Sequence, residues 1–140
     1  MRNRLAAAAA AALAVAVLGA CTSRGQTQLS STASVTVNGN YAKFYVVKCS
    51  QLEWTRTIDI GSDFAGAKVV IEQRNEPFTA ESVHIQNLGG FTGMYSQGDG
   101  GEANLSLSGD RFTITGTANG YQIDKPGEPA TATFKIVATC

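Results

Sequence analysis

From Ala33 onward, apolar and polar residues alternate in short runs that are separated mainly by glycine and asparagine. A period of two residues places every second side chain on the same face, which is typical of half-buried β-strands. No run has the spacing of an amphipathic helix of ordinary length. The predicted strands cover residues 34–37, 41–49, 53–60, 67–73, 82–88, 91–95, 102–108, 111–118 and 132–140.

Two short turns join neighbouring strands into predicted hairpins. Asn38-Gly39 supplies the positive φ angles that a tight hairpin turn requires, and Gly109-Asp110 forms a second turn. So many short strands favour an all-β fold, specifically an antiparallel two-sheet sandwich of about eight strands, because a single open sheet would leave one apolar face in water. A small closed barrel is the alternative architecture.

The first twenty residues have the layout of a secretion signal. Residues 1–4 are a short basic head, residues 5–19 are an alanine-rich apolar stretch, and small residues precede Cys21. A transmembrane anchor is the alternative, but the apolar stretch is shorter than the roughly 20 residues that span a bilayer. We therefore expect residues 1–20 to be a signal peptide that is removed.

The residues around the cleavage point also predict a lipid anchor. Leu18-Gly19-Ala20-Cys21 resembles the lipobox of bacterial lipoproteins, whose cysteine sulfur receives a diacylglycerol before the chain is cut ahead of it. Each buried methylene contributes about 0.8 kcal/mol, so two or three acyl chains hold a protein durably on a membrane. Residues 21–34 are polar and predict a flexible tether, followed by a β domain over residues 35–140.

The number of cysteines is consistent with lipidation. The chain has three, and one of three must stay unpaired in an exported protein. Lipidation of Cys21 removes the odd one, so we expect Cys49 and Cys140 to form a disulfide in an oxidising compartment. The alternatives are two separate buried thiols, or a zinc site, for which the single histidine would need carboxylate partners. We expect no metal.

Charge and the remaining motifs point to no enzyme. The chain has eleven basic and eleven acidic residues, and the signal contains two of the arginines, so the mature part is slightly acidic and unlike a nucleic-acid-binding protein. His84 has a nearby hydroxyl in Ser82 but lacks an orienting group, and we interpret it as an ordinary strand residue. Residues 98–102 match neither a phosphate loop nor a calcium loop, and we expect a hairpin loop and no cofactor.

Four pieces of the sequence carry a family resemblance. They are Val-Val-Lys-Cys at 46–49, Ile-Asp-Ile-Gly at 58–61, Phe-Thr-Ile-Thr-Gly-Thr-Ala-Asn-Gly at 112–120 and Phe-Lys-Ile-Val-Ala-Thr-Cys at 134–140. With them the chain resembles the mycobacterial LpqH, or 19 kDa lipoprotein antigen, family, which the LppE lipoproteins join. The resemblance implies a noncatalytic, acylated lipoprotein on the outer side of the cell membrane, displayed on the envelope. It also implies that host Toll-like receptor 2 senses the acylated terminus.

The alternative function is a carrier of envelope lipid or glycolipid, because a β-sandwich can open an apolar cavity between its sheets. Phe44, Trp54, Phe91 and Tyr95 would then line that cavity. The other role for these residues is plain core. Trp54 shares a face with Ile58 in the alternating pattern, and we expect it to anchor the core.

Overall fold

The computed structural model describes residues 31–140, which form ten β-strands. The alternation in the sequence reappears as alternating burial: in β1, Ala33, Val35 and Val37 are buried and the residues between them are partly exposed. No helix among these residues is long and apolar enough to cross a bilayer. The strands are β1 (Ala33–Val37), β2 (Asn40–Phe44), β3 (Val47–Leu52), β4 (Thr55–Gly61), β5 (Gly66–Glu72), β6 (Thr79–Leu88), β7 (Phe91–Ser96), β8 (Ala103–Ser108), β9 (Arg111–Gln122) and β10 (Lys125–Thr139).

All ten strands belong to one antiparallel hydrogen-bonded sheet. Its order is β2-β1-β10-β9-β7-β6-β5-β4-β3, and β8 pairs with β9. The long strand β9 pairs with β10 along one edge. Its other edge is shared, since the first half pairs with β8 and the second half with β7. The loop at 98–102 therefore joins β7 to β8, which both pair with β9 and lie one after the other along its edge. The expectation of a hairpin loop there is wrong, because a hairpin would pair β7 with β8.

The sheet curves until its two ends meet. Strands β2 and β3 lie at opposite ends of the sheet order, yet only Tyr45 and Val46 separate them along the chain. The Gly61 N–H donates to the Val46 carbonyl oxygen at 2.9 Å, and a Cβ built on Gly61 would lie 3.0 Å from the Phe44 ring. These contacts bring the end of β4 against the end of β2, so one folded sheet surrounds the core.

The predicted all-β antiparallel class is confirmed, although its details differ from a two-sheet sandwich of about eight strands. The hairpin at Asn38-Gly39 is present, with φ angles of 48° and 82°, and so is the turn at Gly109, where Ser108 pairs with Arg111. The predicted strand 41–49 divides at Tyr45 into β2 and β3. The division places β2 and β3 at opposite ends of the sheet order. One sheet can therefore curve around the core, where the sequence predicted two packed sheets.

Trp54 does not anchor the core, contrary to the sequence-based expectation. It lies in the turn of the β3–β4 hairpin, between the paired residues Leu52 and Thr55, and is exposed. Glu53 occupies the turn with a positive φ of 51°. The strand therefore begins one residue after Trp54, while Ile58 and Ile60 are buried as expected.

The core is built from the inward residues of every long strand. Ile136 on β10 lies between Val35 on β1 and Ile114 on β9 in the strand register, and all three are buried. Phe91 on β7 is fully buried and its ring lies against Gly93, where a Cβ would be 2.5 Å from the ring carbon Cζ. Burial of these side chains supplies the main force that holds the sheet in its curved form.

Candidate functional site

The predicted lipidation site, Cys21, and the predicted signal peptide lie outside the described residues. The structure does locate the point at which the chain from Cys21 reaches the domain. Ala33, the first residue of β1, is paired with Phe44 on β2 and with Ala138 on β10. The Thr139 N–H donates to the Thr32 carbonyl oxygen at 3.2 Å. We call this end of the domain, which contains Thr32, Phe44 and Thr139, the tether end.

A disulfide lies at the tether end. Cys49 on β3 is bonded to Cys140, with the two Cα atoms 5.9 Å apart, as the number of cysteines predicted. The Cys140 N–H also donates to the Asp110 carbonyl oxygen at 3.0 Å, which fixes the last residue against the β8–β9 turn. The bond therefore joins strand β3, at one end of the sheet order, to the C-terminal strand beside the tether.

The β3–β4 hairpin is fixed at the same end by a second contact across the sheet. The Arg56 guanidinium lies over the ring of buried Phe112, 5.5 Å from its centroid, and Arg56 Nε donates to Gln51 Oε1 at 2.9 Å. Phe112 is paired with Ala138, two residues before the disulfide. The hairpin thus lies across β9 and β10, and the tip that carries Trp54 extends from the tether end.

Large apolar side chains are exposed in two groups, Tyr45 with Val46 before β3 and Leu52 with Trp54 after it, which the six residues of β3 hold about 20 Å apart. Sequence reasoning missed these two groups, although the unbroken apolar run from Phe44 to Val47 interrupts the two-residue alternation and marks a change of face. Clusters of exposed apolar residues on a small domain commonly mark an interaction surface. Their exposed fractions are 74% for Tyr45, 61% for Val46, 78% for Leu52 and 56% for Trp54.

A shallow cleft of about 460 Å³ lies on the outer face of β3, β4, β5 and β6. A row of ionisable side chains crosses it in strand register, formed by Lys48, Asp59, Lys68 and His84. Lys68 Nζ and a carboxylate oxygen of Asp59 are 3.8 Å apart, and both side chains are about half exposed. Solvent screening limits such a surface pair to at most about 1 kcal/mol, so the row is a solvated face of the sheet.

The structure places His84 in no catalytic arrangement. Its side chain is exposed, and its cross-strand neighbours are Lys68 and Met94. Ser82 lies two residues away on the same strand, and among residues 31–140 no side-chain hydrogen bond joins it or a carboxylate to His84. Within residues 31–140, no cluster of three or more histidine, cysteine or carboxylate side chains could hold a metal ion.

The four residues predicted as an apolar lining are dispersed. Phe91 and Tyr95 are buried in the core on β7, and Phe44 is half-buried at the end of β2. Trp54 is exposed at the hairpin tip, and none of the four borders the cleft. A ligand between Phe91 and Tyr95 would have to displace core side chains.

Comparison with known proteins gives the family. The model of the Mycobacterium 19 kDa lipoprotein antigen family matches residues 26–140. A protein of Mycobacterium indicus pranii whose name describes a lipoprotein is 63% identical over the full length of both chains. The Mycobacterium tuberculosis protein named as lipoprotein LppE is 30% identical, again over both full lengths. Lipoprotein LpqH of Mycobacterium avium is 35% identical over 67% of this chain and 58% of its own. The chain therefore belongs to the mycobacterial 19 kDa lipoprotein antigen family.

Proposed function

We propose that this chain is a noncatalytic, acylated lipoprotein antigen of the cell envelope. Residues 1–20 direct export and are removed, Cys21 carries the lipid, residues 21–32 form the tether and residues 33–140 form the displayed β domain, because β1 begins at Ala33 and not after residue 34. The lipid holds the protein on the outer side of the cell membrane without a membrane-spanning segment. Host Toll-like receptor 2 senses the protein through the acylated terminus.

The observation that carries the proposal is the pairing of Cys49 with Cys140. Of three cysteines in the chain, it leaves Cys21 as the one outside the disulfide, and Cys21 ends the lipobox-like Leu18-Gly19-Ala20-Cys21. Membership of a lipoprotein antigen family and two full-length relatives named as lipoproteins support the same assignment. The exposed position of His84, away from a nucleophile–base–orienter set, supports a noncatalytic role.

Intact mass spectrometry of the native protein, extracted from its own membranes, tests the anchor. We expect a mass that starts at Cys21 with added acyl groups, and two thiols that become alkylated only after reduction. A mass that retains Met1, or that lacks lipid, would refute the assignment.

A pair of cysteine variants separates the anchor from the fold. Cys21→Ala should move the protein from the detergent phase to the aqueous phase in a Triton X-114 partition, whereas Cys49→Ala should stay in the detergent phase. Continued membrane partitioning of the Cys21→Ala protein would contradict anchoring through this residue.

Recognition by the host receptor is tested with reporter cells that express Toll-like receptor 2. We expect the native protein to activate them, and lipase treatment that removes the ester-linked chains to abolish the signal while the domain stays folded. Equal activation before and after delipidation would show that the folded domain, and not the lipid, is recognised.

A further inference from the structure

We propose that the tether end is a membrane-docking face, on which Leu52 and Trp54 at the β3–β4 hairpin tip, with Tyr45 and Val46, enter the headgroup region of the bilayer that holds Cys21. The inference rests on the proposed lipidation of Cys21. It adds that the folded domain lies against the membrane in one orientation, with its opposite end directed outward.

The length of chain between the lipid and the domain limits how far the domain can stand from the bilayer. Eleven residues follow Cys21 up to Thr32, and a fully extended chain spans at most about 3.6 Å per residue, or about 40 Å here. The tether enters at Ala33, beside Phe44 and Ala138. The lipid therefore keeps the tether end within about 40 Å of the bilayer and at a high local concentration there.

The exposed side chains at this end have the chemistry of a membrane interface. Tryptophan and tyrosine favour the headgroup level of a bilayer because one part of the ring system is apolar and another carries a polar N–H or O–H. Tyr45 directly follows Phe44, which is paired with the first residue of β1. Leu52 lies three residues beyond the disulfide-bonded Cys49, a distance of about 10 Å along a strand. Both groups therefore flank the point at which the tether enters.

Charge contributes little to this face. Lys43 Nζ lies 5.4 Å from the centroid of the Tyr45 ring, and Lys48 is next to Cys49. Exposed Arg111 begins β9 at this end, whereas Glu53 lies between the two exposed residues of the hairpin tip and Asp110 is in the turn before Arg111. Because basic and acidic groups are mixed, the face is no polybasic patch, and we expect docking to depend on apolar contact and to change little with the fraction of anionic lipid.

The hairpin tip is held rigidly, which lowers the entropy that docking would cost. The disulfide of Cys49 and the contact of Arg56 with Phe112 fix the two strands of the hairpin. The Trp54 carbonyl oxygen accepts a hydrogen bond from the Gln73 N–H at 2.7 Å. The exposed indole therefore stands on a fixed backbone, and binding would restrict little beyond its side chain.

Trp54 is the single tryptophan of the chain, so its fluorescence reports on the hairpin tip alone. The purified acylated protein is reconstituted in phosphatidylcholine vesicles, with and without phosphatidylcholine brominated high on the acyl chains. We expect the bromolipid to quench Trp54, and emission in bromine-free vesicles to lie at shorter wavelength than in a delipidated sample in buffer. Adding phosphatidylglycerol should leave the quenching unchanged.

The opposite end of the domain provides a matched control. Ile123 is 43% exposed and directly follows β9, which places it twelve residues, or about 40 Å, along the strand from Arg111 at the tether end. The variant Trp54→Phe with Ile123→Trp moves the only tryptophan to that position, where we expect no quenching. A second variant, Leu52→Ser, should at least halve the quenching of Trp54 while its circular dichroism stays unchanged.

Each result separates docking from anchoring. Flotation with the vesicles, quenching at position 54 and none at position 123 support the docking face. Flotation with equal quenching at both positions, or with none at either, overturns the docking face and leaves the anchor intact. Failure to float overturns the anchor and the docking face together. Trp54 could instead be shielded from acrylamide without being quenched by bromolipid. If that shielding disappears when the protein is diluted into excess vesicles, the face binds a second copy of the chain, and the proposal is overturned.

Discussion

Breaking the bond between Cys49 and Cys140 should lower the stability of the domain by several kcal/mol. The two cysteines are 91 residues apart, so the bond closes almost the whole β domain into one loop. In the chain-entropy description, a loop of this length removes enough freedom from the unfolded chain to stabilise the folded state by about 4.6 kcal/mol at 25 °C. A domain of this size has a total free energy of unfolding of about 5–15 kcal/mol, so the bond supplies a large share.

Urea unfolding, followed by far-ultraviolet circular dichroism, measures this effect on oxidised and reduced protein of the same sequence. We expect reduction to lower the unfolding midpoint by about 2–4 M urea and to raise the m value, because the unfolded chain without a cross-link exposes more surface. The variant Cys49→Ala with Cys140→Ala controls for the reducing agent. It should agree with the reduced protein to within about 1 kcal/mol, since both side chains are only half-buried.

A difference of less than about 1 kcal/mol between oxidised and reduced protein would refute this reasoning. The unfolded state would then be compact enough without the bond that loop closure costs it little. Trp54 gives a second measurement in the same samples. Because the disulfide fixes β3, reduction should increase acrylamide quenching of Trp54 before the sheet unfolds, and an unchanged quenching constant would mean that the contact of Arg56 with Phe112 holds the hairpin by itself.

Two further predictions concern the sheet itself. Ile136→Ala should lower the free energy of unfolding by about 2–5 kcal/mol, because Ile136 is fully buried between two other core residues, whereas exposed Lys135→Ala should change it by less than about 0.5 kcal/mol. Equal effects in thermal or urea unfolding would contradict the strand register. Gly120→Ala should cost about 3 kcal/mol or more, since a Cβ there would collide with the backbone of Thr92 and Gly93. Gly127→Ala is the matched control, because no atom lies within 4 Å of its Cβ position, and a loss at Gly127 as large as at Gly120 would refute the packing argument.

Most of the strands could be predicted because they obey a local rule. The alternation of buried and exposed residues in β1 and β4 follows from the period of two, and the turn at Asn38-Gly39 follows from the need for positive φ angles. The cysteine pair could be predicted because the lipobox accounts for Cys21, which leaves two of the three cysteines to pair. None of these inferences required knowledge of contacts between distant parts of the chain.

Two errors arose where the chain changes direction without glycine or asparagine. The β3–β4 turn has Glu53 at positive φ, a residue type that rarely adopts this conformation, so Trp54 was assigned to a strand face. The break at Tyr45 lies in an apolar run and follows from closure of the sheet, which depends on contacts far apart in sequence. The last strand was predicted to begin at residue 132, whereas β10 begins at Lys125 and accommodates Pro129 at a register shift.

The entry of the tether and the disulfide lie at the same end of the domain, and the topology gives a physical reason. Any force transmitted along the tether would reach the domain through β1, which is hydrogen-bonded on both edges, to β2 and to β10. β10 ends beside the entry of the tether, so fraying of its last residues would release one of the two edges that hold β1. The disulfide fastens Cys140, which directly follows β10, to β3 and prevents that opening. Reduction should therefore weaken the attachment of β1 first, at the end of the domain that the tether enters.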